Sequence, residues 1–334
     1  MSRTQTLIDL IRDASTLAQA QSFLRNRGLP FSAQSWEALI EDRLLPAVPR
    51  SLSEADLFEL LAEAEEYGRQ HVFLFRRKAG KGKFPGQDRI KQWLTGTPDE
   101  ELLKGPRLLE YPEEPTVAEV RLDLESNSGA LSVKVIESRA VVTMVQEKEL
   151  GNGRFTREYK RDLVRAVNVA RLHSDGLLEL RIFSHRTPGR SYAEELPAMW
   201  GMLSGLLNES DYTPWSLVGA KDAVWKQRKE NDGRIRFSTA MMKGTTGTTM
   251  SLRTGSMSAS LFDDKAAEEG LSVFEKKGEA YCNAHNVWWV AQSKGLPAKD
   301  VHVLLSGADN EFAVTHQCTR DDYEHVLAEI RRIN

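Results

Sequence analysis

Residues 111–125 read YPEEPTVAEVRLDLE, and the change of pattern inside this stretch decides the fold. In its second part Val120, Leu122 and Leu124 alternate with Arg121, Asp123 and Glu125, the period of a strand with one wet face. Its first part, YPEEP, is short, acidic and bounded by proline, and helical spacing ends just before it. A domain boundary is therefore expected here. The spacing predicts an α+β protein: an N-terminal helical domain over residues 1–112, then a larger mixed, mainly antiparallel sheet domain with packed helices over residues 116–334.

Upstream of the boundary, apolar residues recur at three- and four-residue steps. Leu7, Leu10 and Ile11 mark one helix, and Leu17, Ala20, Phe23 and Leu24 mark a second that stops at Gly28. Ser35 is placed to cap a third helix carrying Trp36, Leu39 and Ile40. Ser51 with Glu54 has capping-box spacing for a fourth, which buries Leu57, Leu60 and Leu61.

Downstream, strands are expected over 131–136 and 141–146, with Gly151-Asn152-Gly153 as a turn and SNSG (126–129) as another. Helices are expected over 162–172, near 199–207 and over 281–292, and a strand at Leu178–Ile182. Further strands are expected after Asn231-Asp232-Gly233, at 250–253 and at 257–261, with a helix over 266–276. VHVLLS and EFAVTHQC form a hairpin, and Thr319 caps a last helix with Val326, Leu327 and Ile330 inward. The same order of elements occurs twice, over 116–210 and 214–334, so the two parts are candidates for related halves.

One stretch of the helical domain departs from its surroundings. FRRKAGKGKFPGQDRIK, residues 75–91, carries Arg76, Arg77, Lys78, Lys81, Lys83, Arg89 and Lys91 against the single acid Asp88. Gly80, Gly82 and Gly86 loosen the backbone so that it can approach a polyanion closely while the cations reach around it. Lys plus Arg is 45 and Asp plus Glu 48 in 334 residues, a net charge of −3, so a nucleic-acid site here is a local basic patch on an acidic body. GKGKF lacks the glycine spacing and the Lys-Ser/Thr pair of a nucleotide-binding P-loop. A second basic set, Arg157, Arg161 and Arg165, lies on a hairpin arm and the helix expected after it, and extends the patch only if the fold brings the two together.

For metal chemistry, Cys282 with His285 and His316 with Cys318 are the candidate ligands of a Cys2His2 zinc site. Their intervals match no zinc-finger pattern, and core packing explains both pairs, so no cofactor is expected. Glu119, Asp123 and Glu125 share the polar face of the first sheet strand, as a metal-dependent nuclease would want and as any half-exposed strand has. His173, His185 and His302 have the acids Asp175, Glu179 and Asp300 nearby, but neither GxSxG nor HExxH is present. Two cysteines make no disulfide framework, and no apolar run approaches a membrane span, so a cytoplasmic protein with no membrane contact is expected.

The reading that unites these features is a non-enzymatic protein that binds nucleic acid or another polyanion within a complex, with a protein partner or a second copy of itself. The alternatives are an interaction adaptor without nucleic acid, using the small-residue stretch 245–260 and the adjacent Trp288 and Trp289, and a metal-dependent enzyme such as a nuclease.

Overall fold

The computed structural model describes residues 2–123, 129–184, 192–229, 233–305 and 307–334. The expected SNSG and Asn231-Asp232-Gly233 turns, apart from their glycines, lie outside these residues, as do Glu125 and His185. Its elements begin with helices α1 (Arg3–Ala14), α2 (Leu17–Asn26), α3 (Trp36–Leu39), α4 (Leu45–Ala47) and α5 (Glu54–Glu66). Strand β1 (Gly68–Arg77), helix α6 (Gln87–Leu94) and strands β2 (Thr116–Asp123), β3 (Ala130–Gly151), β4 (Arg154–His173) and β5 (Leu177–Phe183) follow, then helix α7 (Glu195–Leu203). The rest comprises β6 (Tyr212–Pro214), α8 (Val218–Lys226), β7 (Ile235–Lys243), β8 (Thr249–Arg253), α9 (Lys265–Lys277), β9 (Tyr281–Trp289), β10 (Val301–Leu305), β11 (Glu311–Gln317) and α10 (Arg320–Ile333). The fold is mixed α+β, and its paired strands run antiparallel. Among the described residues no helix is long and apolar enough to cross a membrane.

The chain forms two compact units. The first takes the chain up to Glu66 and again from Arg77 to Tyr212; the second takes Tyr67–Arg76 and Thr213–Asn334. This division differs from a boundary at residue 112, and the reason is packing. Leu108 packs against the helical core of Leu7, Ile11 and Leu57, while its neighbour Leu109 packs against Ala118, Ile136 and Val167 of the sheet. YPEEP thus turns the chain within one body.

In the first unit the helices start where polar side chains can take up their free N–H groups. Ser2 caps α1, and Thr16 with Gln19 forms a capping box on α2. On α5 the box is Ser53 with Asp56, two residues beyond the pair read from the sequence: Ser53 Oγ accepts from Asp56 N at 3.1 Å, and the Asp56 carboxylate accepts from Ser53 N at 2.8 Å. The sheet runs β2-β3-β4-β5. β3 and β4 stay paired from Ala130↔His173 almost to the Gly151-Asn152-Gly153 turn, so they extend as a two-stranded arm beyond β2 and β5.

In the second unit the order is β1-β11-β10-β9-β7-β8. Two expected helices are strands. Residues 162–172 belong to β4 and residues 281–289 to β9; inner strands covered on both faces bury successive residues and so lose the alternation that identifies a strand. Trp288 and Trp289, adjacent on β9, point to opposite faces and are both buried. Residues 257–261 form no strand, and a 3-10 turn begins at Leu261.

β1 begins at Gly68, whose φ of +93° lies in the left-handed region. A Cβ there would stand 2.0 Å from the backbone oxygen of His316 on β11. Gly68→Ala is expected to cost about 2–3 kcal/mol, from the strained backbone and from the shift β11 must make. Denaturant titration checks it; a loss under about 0.5 kcal/mol would show that β11 gives way freely.

Candidate polyanion-binding site

After β1 the chain makes a glycine-rich excursion. Gly80 and Gly82 have φ of +70° and +51°, and Lys81 N bonds to Lys78 O at 3.1 Å, which closes the turn. The first unit holds this loop by its ends. Lys78 N donates to Asp211 O at 2.8 Å and Lys78 Nζ to Ser210 O at 2.7 Å. Beyond the loop, α6 buries Ile90 and Leu94, and its other side is tied to a neighbouring turn: Arg89 donates to Gly205 O at 2.5 Å and Trp93 Nε1 to Ser204 O at 3.0 Å.

Between the loop and that turn lies a cleft of about 630 Å³. Gly82–Arg89 form one wall, and Leu206–Asn208, Asp211 and Tyr212 the other. Burial pushes the Tyr212 hydroxyl up to about 12, so it remains a neutral donor at physiological pH, while its ring packs on Trp200 at 5.6 Å. Gly86 caps α6 without a side-chain acceptor, so the first N–H groups of that helix meet the cleft edge uncapped, with Asp88 beside them.

The cations of the loop are not folded onto the acidic face of α5. Lys78 and Arg89 meet backbone carbonyls, and the Arg77 side chain runs along Gly176, where a Cβ would stand 3.2 Å from its own. The side chains of Lys81, Lys83 and Lys91 are exposed and make no hydrogen bond or ion pair among the described residues. In the second unit Arg76 lies over the Trp215 ring at 4.8 Å.

No family model matches the chain, and no curated protein matches it. The functional reading therefore rests on geometry.

The second basic set is dispersed. Arg157 on the arm pairs with Glu147 across the hairpin, Arg161 is exposed, and Arg165 is drawn inward by Glu65 and by Leu109 O at 2.8 Å. Arg165 is therefore spent on the fold: on the strand it points under α5, where an exposed helix surface was expected.

The cysteine–histidine pairs are not gathered into one cluster either. Cys282 Sγ lies 3.6 Å from His285 Nδ1, and His285 packs against Trp225 and Phe237. His316 packs instead on Trp288 and His302. His285 and Trp288 stand three apart on one strand and so face opposite sides of the sheet. Among the described residues no group of three or more His, Cys, Asp or Glu side chains is arranged to hold a metal ion.

What the sequence did not suggest is a buried charged face on the first unit's sheet. Lys134, 5% exposed, lies 2.8 Å from Glu66, 3.4 Å from Glu65 and 3.5 Å from Glu119. Arg121 also holds Glu66, and Arg181 donates to the backbone oxygen of Glu66 at 2.9 Å. Glu179, fully buried, accepts from Arg181 and bonds to His173 Nε2 at 2.6 Å. Burial alone would raise the Glu66 carboxyl, but Lys134 and Arg121 outweigh it and hold it at about 2; Arg181, His173 and Arg171 likewise lower Glu179 against burial. Glu119, a candidate metal ligand, is thus matched by Lys134 and Arg121. The only early signal was polar residues spaced by two along strands.

Proposed function

We propose that this protein binds a polyanion, nucleic acid foremost, by phosphate neutralisation at the 77–91 loop, without catalysing a reaction. The single observation that carries the reading is that the loop's cations meet carbonyl oxygens or solvent instead of pairing with carboxylates, so that Arg77, Lys78, Lys81, Lys83, Arg89 and Lys91 outnumber Asp88 and Asp211, the acids of the open cleft. Positive side chains on a glycine-loosened loop contact phosphates without reading bases, so binding is sequence-tolerant and weakens steeply with salt. Lys83 and Arg89 stand on the cleft wall, with Lys81 and Lys91 flanking it.

Lys81, Lys83 and Lys91 are replaced together by Ala, and binding to a labelled 20-base-pair duplex is titrated at several salt concentrations. Each phosphate contact contributes roughly 0.9 to the slope of log K against log salt, so the triple variant is expected to lose about 2–3 of that slope and about tenfold or more in affinity. A wild-type protein that does not bind the duplex at low salt, or a variant with an unchanged slope, sinks the proposal. The expected role of Arg157 and Arg161 is secondary, because Arg157 is already matched by Glu147.

A further inference from the structure

Among the described residues the β3–β4 arm has no third strand from residue 140 outward. Among the described residues, β2 pairs with β3 only as far as Thr116↔Ile136, and β5 pairs with β4 only over Val169–Leu172. The arm is about 35 Å long at the usual strand rise. A two-stranded ribbon in water is marginal alone, and both its outer edges offer unpaired backbone groups. One face carries an apolar stripe: Met144 stands opposite Tyr159, and Phe155 and Leu163 lie on the same side of β4. All four are more than half exposed.

The outer edge of β3 is a poor template, because its register shifts at Met144/Gln146 and again at Glu149/Gly151. β4 carries the ordered edge, and its sequence over 155–163, FTREYKRDL, is nearly self-complementary about Tyr159. When two copies of this segment run antiparallel with Tyr159 opposite Tyr159, Glu158 of each faces Lys160 of the other, and Phe155 of each faces Leu163. Thr156 then faces Asp162. The one like-charge pair sets Arg157 against Arg161, and Arg157 is already matched by Glu147 within its own arm.

We propose that the arm is a homodimerisation element: two copies of this chain join along the outer edges of β4, antiparallel about Tyr159, to form a four-stranded arm sheet in the order β3-β4-β4-β3. The mixed charges along β4 select a second copy over a phosphate backbone as the occupant, and the opposite signs of Glu158 and Lys160 on either side of Tyr159, with Phe155 set to meet Leu163, select the antiparallel register. This dimer does not depend on the loop's binding a polyanion.

Sedimentation equilibrium of the full chain is expected to show a concentration-dependent dimer. Glu158→Lys and Lys160→Glu, each of which sets like charges face to face at two symmetry-related places, should each weaken the dimer about tenfold or more. The double variant, which restores opposite charges across the seam, should return to within about threefold of the wild type. In a Cys318→Ser background, Tyr159→Cys should cross-link to a covalent dimer under mild oxidation, and Thr143→Cys, on the β3 side, should not. The side chains of Thr143, Glu158, Tyr159 and Lys160 are exposed and Cys318 is half-buried, so an unchanged melting temperature keeps the variants comparable. A wild-type chain that stays monomeric up to about 100 μM overturns the proposal, as does a double variant no tighter than the singles, or cross-linking through Thr143→Cys and not Tyr159→Cys.

Discussion

Lys134→Met is expected to lower folding stability by about 3–5 kcal/mol, the cost of breaking a buried ion network from one side. The ammonium lies among Glu65, Glu66 and Glu119, all within 3.5 Å and all largely buried. Methionine has nearly the same length and fills the space, so little of the loss comes from a cavity. What remains is three carboxylates that share Arg121 and Arg165. Against a total stability of about 5–15 kcal/mol this is a large fraction. Adding Glu66→Gln removes one of the stranded charges, so the double variant should recover at least about 1 kcal/mol. A single variant within about 1 kcal/mol of the wild type in denaturant titration would mean that water reaches this face and screens it.

Acid should destabilise the protein in two stages. Burial holds the His285 imidazole down at about 3, helped by nearby Lys221, whereas in the unfolded chain it titrates near 6.5. Between those values the unfolded state binds the extra proton, so stability falls as pH falls, by about 1.4 kcal/mol for each unit below 6.5 from this one group. His302, lowered to about 4 by burial and by His316 and Arg253, acts in the same direction. Glu66 adds the second stage. Its folded value of about 2 lies below its unfolded value, so its contribution is complete above about pH 4.5 and is lost as pH drops toward 2. The stability curve should therefore be flat between about pH 7 and 8, slope downward below 6.5 and keep falling below 4.5, where Glu66 takes over from His302. In His285→Phe the limb between 6.5 and 4.5 should become shallower by about 1.4 kcal/mol per unit; an unchanged limb would show that His285 protonates without opening its packing against Trp225 and Phe237.

Much of the chain's local order was legible from its residues. Thr319 caps α10, which buries Val326, Leu327 and Ile330 as expected, and the hairpin of β10 and β11 turns where glycine and asparagine fall. The basic stretch 75–91 reads as a loop between two helices; in the structure Phe75–Arg77 end β1, Gln87–Lys91 open α6, and only the glycine-rich part between them is loop. What stayed hidden shares a cause. β1, with its run Val72-Phe73-Leu74-Phe75, and β4, with Val167 through His173, bury residue after residue, and such runs carry no period. The charged face was harder still. Arg171, Glu179 and Arg181 look like surface residues until the strands bring them together, since charge in sequence says nothing about the partner that makes burial tolerable.

β1 has a consequence for synthesis on the ribosome. It leaves the exit tunnel directly behind α5, yet its register partner on β11, Ala313 opposite His71, is made some two hundred and forty positions later. Until then this ten-residue, phenylalanine-bearing segment meets in its own unit only the short β6 and Trp215, whose N–H donates to Leu74 O at 2.9 Å, and the ring closed by the β11 pairing is among the longest the chain must close. A nascent protein of this design spends most of its translation with the β11-side edge of that segment open, the circumstance in which holding chaperones engage and in which truncated products aggregate.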